Sequence, residues 1–169
     1  MKNTEWTFPL YLGLISLGFL TVGVPTESKA LTLQDVAKIE DLTSADGVAF
    51  GTPVHFGSFA SQLKQFIDQL SPVFVKGTMV SKPAAFFTSS GSMHGGEEAA
   101  LLSLMIPMLN LGMLPIGVPY PIQGEGGDFD AGSPYGAVYV SGHKGEKVIT
   151  EADKKIAKIL GKRLSAMSK

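Results

Sequence analysis

The chain contains no cysteine among its 169 residues. This absence excludes disulfides, iron–sulfur clusters, thiolate zinc sites and cysteine nucleophiles, because each of them requires a thiol or thiolate. An excess of one charge is also lacking, since 14 basic and 15 acidic residues leave a net charge of −1. The overall charge therefore gives no general attraction to nucleic acid or to an anionic membrane surface. No nucleic-acid partner is expected.

Glycine and proline, by contrast, are abundant. The chain has 20 glycines and 10 prolines, and they cluster around residues 51–57, 91–96 and 117–136. With 44% hydrophobic residues, the chain can fill one core of ordinary size. We expect a single globular domain in which functional loops connect ordered elements.

Residues 8–24 carry no charge and form the most hydrophobic stretch of the chain. These 17 residues reach the lower limit for spanning a bilayer, and Ser28-Lys29-Ala30 offers the small-x-small pattern of a signal-peptidase site. A buried strand pair, or residues translated from a misplaced start, would also account for the stretch. We interpret 1–30 as a hydrophobic leader (signal peptide, membrane anchor or mis-started segment) and 31–169 as the globular domain. A genuine leader would place the protein at a membrane, with association through residues 8–24, or outside the cell.

The rest of the chain alternates apolar runs with helical patterns. Short apolar runs predict buried strands at 47–50, 83–87, 114–118 and 135–140. Apolar spacing predicts a helix over 59–70, which Pro72 follows, and a second helix over 97–109. Pro107 should kink or end this second helix. Thr150 and Asp153 resemble a capping box that begins a final helix, while 31–42 fits a short helix or a connector. This order predicts an α/β protein with a doubly wound parallel sheet and helices on both faces.

Three glycine-rich loops are expected to carry the function, because open parallel sheets bind ligands beyond the carboxyl ends of their strands. The loop at 51–57 combines turn-forming glycines with an aromatic side chain that suits a flat heterocycle. The loop at 89–96 offers hydroxyls and backbone donors at a helix start. The third loop spans 132–136. Taken singly, each loop could also be a plain connector between a strand and a helix.

The order of these motifs resembles the WrbA-type NAD(P)H:quinone oxidoreductases and their flavodoxin-like relatives. The resemblance covers residues 43–164 and rests on ADGVAFGTPVHFGSFASQLKQFIDQL, KPAAFFTSSGSMHGGEE, LGMLPIGVPY, GSPYGA and TEADKKIAKILGKRL. It implies a flavodoxin-like sheet, noncovalent FMN, and hydride transfer from NAD(P)H to a quinone. It also implies a cytoplasmic homo-oligomer, a dimer or tetramer, to which the apolar segment 99–111 would contribute burial.

The resemblance places the cofactor on two of the loops. The isoalloxazine ring would contact Thr52, Pro53, Val54, His55, Phe56 and Gly57. Its polar edge or the ribityl chain would contact Ser90, Gly91, Ser92 and Gly95. No side chain need act as a nucleophile, so no catalytic residue is assigned. The histidines do not form a recognisable metal site: His94 would lie in a loop near the pocket and His143 in a solvated turn.

The chain departs from the family in three places. Relatives begin with a strand and a loop that cradles the FMN phosphate, but nothing in residues 1–30 matches it, so the first strand is absent or replaced. His55 stands where relatives commonly have arginine or tyrosine, and Leu111 stands where many have histidine. The alternative function is therefore a non-catalytic or degenerate flavodoxin-like binding module without a competent phosphate site.

Overall fold

The computed structural model describes residues 37–122 and 131–168. The predicted leader at 1–30, with its signal, anchor and substitute-strand alternatives, lies outside these ranges. Within them, no helix combines the length and the apolar character that crossing a membrane requires.

A four-stranded parallel sheet forms the centre of the described residues. Its strands are β1 (Val48–Pro53), β2 (Pro83–Ser90), β3 (Leu114–Ile116) and β4 (Ala137–Val140). β1 pairs with β2 along nearly its whole length. On the other flank of β2, β3 pairs with residues 83–85 and β4 with residues 87–90. β3 and β4 therefore follow one another along the same flank, like one strand interrupted in its middle.

Five α-helices and one short 3₁₀ helix are described around this sheet. The α-helices are α1 (Ile39–Ser44), α2 (Ser61–Asp68), α3 (Ser71–Lys76), α4 (Glu97–Asn110) and α5 (Glu151–Met167). The 3₁₀ helix is Tyr120–Ile122. As predicted, α5 begins after a capping box in which Thr150 Oγ1 accepts a hydrogen bond from Asp153 N at 3.1 Å. This bond satisfies one of the free N–H groups of the first turn.

The helices cover both faces of the sheet. Alternate strand residues point to opposite faces, so Phe50 and Phe86 pack with α1 to α4, whereas Ala49 and Ala85 pack with α5. The rings of Phe50 and Phe86 stack with their centroids 6.1 Å apart. The predicted α/β class with helices on both faces is thereby confirmed.

Pro72 and Pro107, which the sequence analysis related to helix ends, each lie inside a helix. Pro72 does not simply follow a helix: it lies in the first turn of α3, where a residue without an N–H loses no helical hydrogen bond. Pro107 does not end α4, which continues to Asn110. Its carbonyl oxygen still accepts from Leu111 N at 3.1 Å.

Candidate functional site

β1, β2 and β4 end at one edge of the sheet, because Pro53 pairs with Ser89 and Val140 with Ser90. Three connections leave this edge. We call them the His55 turn (residues 54–58), the Gly91 loop (residues 91–96) and the His143 loop (residues 141–149). Parallel α/β proteins bind ligands at this edge.

The His55 turn is a tight hairpin. His55 N donates to Ser58 O at 2.9 Å, and Ser58 N donates to His55 O at 3.0 Å. Phe56 and Gly57 between them have φ values of 50° and 74°, as in the primed turns that usually take asparagine and glycine. Phe56 is nonetheless fully exposed, at 108% of its reference area. An aromatic side chain is thus presented to solvent from a strained backbone position.

Thr52 and Pro53, predicted as loop residues, are the last residues of β1. The Thr52 side chain is buried, and its hydroxyl accepts a hydrogen bond from Ala60 N at 2.9 Å. The carbonyl oxygen of Thr52 accepts from Thr88 Oγ1 at 2.7 Å. These contacts attach the strand end to the start of α2 and to β2, so the Thr52 side chain holds the His55 turn in place.

A buried polar pair lies at the base of the Gly91 loop. Ser90 is 8% exposed and Glu97, the first residue of α4, is 6% exposed. Ser90 Oγ lies 2.8 Å from Glu97 Oε1 and 2.8 Å from the carbonyl oxygen of Ser92. The single hydroxyl hydrogen serves one acceptor at a time. Ser90 therefore connects the strand end, the loop and the helix start.

The His55 turn and the Gly91 loop meet at two glycines. A Cβ built on Gly96 would lie 2.8 Å from Gly57 Cα and 3.3 Å from Gly57 N. Gly96 also has a φ of 103°, which residues with a Cβ rarely adopt. Glycine at this position allows the two backbones to touch.

Backbone donors remain available where these loops meet. The N–H groups of Gly57 and Gly96 donate to no other residue within 37–122 and 131–168. Such donors suit the acceptor atoms of a polar ring edge. The predicted site residues of both loops, His55 to Gly57 and Gly91 to Gly95, are thus gathered at one edge.

The His143 loop also contacts the Gly91 loop. Ser141 donates to Ser90 O through both its N, at 2.8 Å, and its Oγ, at 3.0 Å. A Cβ on Gly91 would lie 3.8 Å from His143 Nδ1. His143 is exposed, as expected for a solvated turn, but the sequence reasoning missed its position beside the candidate site. The signal was available, because SGHKGE directly follows a predicted strand.

Electrostatic interactions stabilise the His143 loop. The Glu146 carboxylate accepts from its own N–H and from Lys144 N, at 2.9 Å in the second case, and these backbone bonds chiefly lower the pKa of Glu146. The neighbouring side chains of Lys147 and His143 also lower the pKa of Glu146. For Tyr139, burial is the main cause of a raised pKa, and its hydroxyl donates to Lys147 O.

The third predicted loop, at 132–136, does not lie at this edge. It occupies the interruption between β3 and β4, where a Cβ on Gly136 would lie 2.1 Å from Phe86 O. Val118 N donates to Pro134 O at 3.0 Å, and this bond joins the two ends of the connection between β3 and β4. The expectation that this loop follows a strand end was wrong, because the sequence could not show that β3 and β4 share one flank of β2. The His143 loop takes the predicted place.

The sequence of the chain is similar to that of a known protein family and its members. The family model described as NADPH-dependent FMN reductase matches residues 25–127. Proteins named NAD(P)H dehydrogenase (quinone) from Geotalea uraniireducens and Geobacter sulfurreducens are each 36% identical over 149 residues, which cover 87% of this chain and 73% of theirs. One from Sinorhizobium fredii is 38% identical over 135 residues, covering 79% of this chain and 68% of its own.

Among solved structures, the WrbA-like flavodoxin from Agrobacterium tumefaciens superimposes with a TM-score of 0.60 at 22% identity. The match covers 76% of this chain and 69% of that one. At this identity the likeness shows a shared fold, and it confirms the flavodoxin-like α/β architecture. Since the family model matches more than half of the chain, and relatives above 30% identity match most of it, this chain belongs to the NADPH-dependent FMN reductase family.

Proposed function

We propose that the chain is an FMN-dependent NAD(P)H:quinone oxidoreductase. The observation that carries the proposal is the contact of the His55 turn with the Gly91 loop at Gly57 and Gly96, which gathers unused backbone donors at the carboxyl edge. FMN, when bound, would accept a hydride from the nicotinamide nucleotide and pass it to the quinone. The family membership and the names of the relatives support the same chemistry.

The residues at the edge fit a flat heterocycle. The N–H groups of Gly57 and Gly96 can donate to the ring's carbonyl and nitrogen acceptors, and glycine leaves room for that approach. Phe56, fully exposed, offers an aromatic face, and His55 offers a ring nitrogen within the same turn. The proposed contacts are those of the sequence prediction: Thr52, Pro53, Val54, His55, Phe56, Gly57, Ser90, Gly91, Ser92 and Gly95.

For Thr52 and Ser90 the proposed contribution is indirect. Both side chains are buried and hydrogen-bonded within the protein, so they would place the loops while backbone atoms contact the ligand. Holding donors in a fixed geometry lowers the reorganisation that a reaction requires. The protein would thus supply binding and orientation without a nucleophile.

A second candidate is a non-catalytic flavodoxin-like module. It is favoured by the sequence of residues 1–30, which contains no recognisable phosphate-binding loop. A module of this kind would lack several charge-assisted hydrogen bonds to phosphate, each worth about 1.5–3 kcal/mol. We retain as proposals the division into a leader at 1–30 and a domain at 31–169, and a homo-oligomeric state.

Titration of the purified full chain with FMN, followed by quenching of flavin fluorescence, tests the proposal. We expect a Kd in the micromolar range or below, together with flavin-dependent oxidation of NAD(P)H by a water-soluble benzoquinone. A folded protein that does not bind FMN would favour the non-catalytic module.

Phe56→Ala tests the location of the site. The side chain is fully exposed, so its removal should leave the fold intact and weaken FMN binding by about tenfold through lost aromatic contact. Phe74→Ala, which removes a 60% exposed ring from α3, is the matched control and should leave the Kd unchanged. Equal Kd values for both variants and the wild type would place the cofactor elsewhere.

A further inference from the structure

The charges of the chain are distributed unevenly along its length, although they nearly cancel overall. Residues 141–169 contain eight of the 14 basic residues but only three of the 15 acidic ones. The net charge of −1 therefore conceals a basic C-terminal region and an acidic remainder. Local charge, not net charge, determines what a surface attracts at short range.

α5 gathers much of this positive charge on one side. Ile156, Leu160 and Leu164 are buried against the sheet, which turns the opposite side of the helix to solvent. We call that side the basic face and define it by Lys154, Lys155, Lys158 and Lys162. With Glu151 and Ile159 these lysines line an open depression of about 240 Å³.

Among the described residues, Glu151 is the one carboxylate that lines the depression. Glu151 pairs with Lys154 at 2.7 Å, and that hydrogen bond chiefly lowers the pKa of Glu151. Lys158 and Lys162, both exposed, lie one turn apart beyond this pair, and the proposal rests on their two charges.

The basic face begins near the candidate site. α5 follows β4 through the His143 loop, so its first turn lies toward the carboxyl edge of the sheet. The loop adds two exposed lysines, Lys144 and Lys147, one carboxylate between them, Glu146, and an apolar side chain, Val148, which is 83% exposed. Positive charge and exposed apolar surface thus occur together along the path from the loop into the helix.

We propose that the basic face of α5 docks the protein onto an anionic phospholipid bilayer. Lys154 and Lys162 are eight steps apart on the helix, roughly 12 Å at 1.5 Å per residue, which suits a plane of phosphate groups better than one small anion. Exposed Val148 can enter the headgroup region, whereas a nucleic-acid backbone would offer it no apolar contact. The same chain contains the uncharged stretch 8–24, and stable membrane association commonly combines an apolar signal with a basic one.

Docking through α5 would bring the carboxyl edge near the lipid phase, where lipophilic quinones partition. This consequence rests on the proposed function, whereas the docking itself rests only on the charge and shape of the basic face. The two can be tested separately, because oxidation of NAD(P)H by a water-soluble benzoquinone needs no lipid.

The experiment measures flotation of the full chain with two kinds of vesicle, phosphatidylcholine alone and phosphatidylcholine mixed with phosphatidylglycerol. We expect tighter binding to the anionic vesicles and a loss of this preference at high salt. Each lysine near an anionic surface contributes about fivefold in affinity. Lys158→Glu with Lys162→Glu should therefore lower binding to anionic vesicles by at least about 25-fold.

Lys38→Glu with Lys76→Glu is the matched control, because it changes the net charge equally at exposed lysines on α3 and beside α1. It should reduce binding no more than a few-fold, and circular dichroism should show all chains folded. Equal binding to both vesicle types would overturn the proposal, as would equal losses for the two pairs of substitutions. Binding of transfer RNA in preference to anionic vesicles, abolished by the α5 pair, would replace the bilayer by nucleic acid. A chain that floats as expected but fails to bind FMN would contradict the proposed function alone.

Discussion

At the scale of single residues, the close approach of Gly96 to Gly57 is the contact most sensitive to substitution. Gly96→Ala would place a methyl group 2.8 Å from Gly57 Cα at a φ of 103°. We expect a loss of about 1–3 kcal/mol in the free energy of unfolding, from backbone strain and steric overlap together. Urea denaturation measures this loss, and FMN titration should show weaker binding.

Gly145→Ala provides the control for this prediction. Gly145 also has a left-handed φ, 70°, but a Cβ there would meet no atom within 4 Å. The decrease in the free energy of unfolding caused by Gly145→Ala therefore measures the backbone strain alone. If both variants lost the same stability and bound FMN equally, the Gly57–Gly96 contact would have no separate role.

The Ser90–Glu97 pair allows a second prediction at this scale. Ser90→Ala removes the hydroxyl 2.8 Å from the buried Glu97 Oε1, and the lost bond should lower the free energy of unfolding by about 1–3 kcal/mol. In a Glu97→Gln background, Ser90→Ala should lower the free energy of unfolding by a smaller amount, because a neutral acceptor is easier to leave unpaired than a carboxylate.

Ser103→Ala is the comparison for the serine substitution. Ser103 Oγ donates to Ala100 O within α4, and alanine is the better helix former. Its effect should stay within about 0.5 kcal/mol. Additive losses in the double-mutant cycle would argue that Ser90 and Glu97 act independently.

At the scale of elements, the Thr150 capping box determines where α5 begins. Thr150→Ala removes the acceptor for Asp153 N and should lower the free energy of unfolding by about 1 kcal/mol. Thr78→Ala, at an exposed threonine whose side chain bonds to no other residue in the described ranges, should change it little. Thermal or urea unfolding compares the two, and equal losses would contradict a role for the cap.

The sequence predicted elements well where a local cause decides them. The capping box at Thr150 and the apolar runs of β1 and β2 depend on neighbours in sequence, and both were found. The sequence reading missed α3, because a proline that follows one helix can equally open the next. Which side chains of the two predicted loops are buried, as Thr52 and Ser90 are, also depends on strand pairing. That pairing joins residues far apart in sequence, as does the placement of β3 and β4.

At the scale of the whole molecule, α4 presents an apolar stripe to solvent. Leu102, Ile106 and Leu109 are 42%, 61% and 58% exposed and share one side of the helix at three- and four-residue spacing. Such a stripe is typical of a contact between subunits. If the proposed homo-oligomer forms through it, Ile106→Glu should shift the sedimentation mass toward the monomer.

Val75→Glu, at an 81% exposed valine of α3, is the control and should leave the mass unchanged. Both variants introduce a glutamate at an exposed helical position, so neither should unfold the chain. A mass that did not respond to Ile106→Glu would assign the contact to another surface, and a monomeric wild type would remove the oligomer from the proposal.

The interruption between β3 and β4 has a consequence for how this sheet can change over evolution. Each half-strand is held by its own ladder to β2, and Gly117 and Gly136 pass close to backbone oxygens where the chain leaves and rejoins the sheet. Doubling the length of a connecting segment costs only about 0.6 kcal/mol in closure entropy. The connection between β3 and β4 is therefore a place where sequence can be inserted at little cost. A homologue could gain a new module there while both half-strands stay paired with β2.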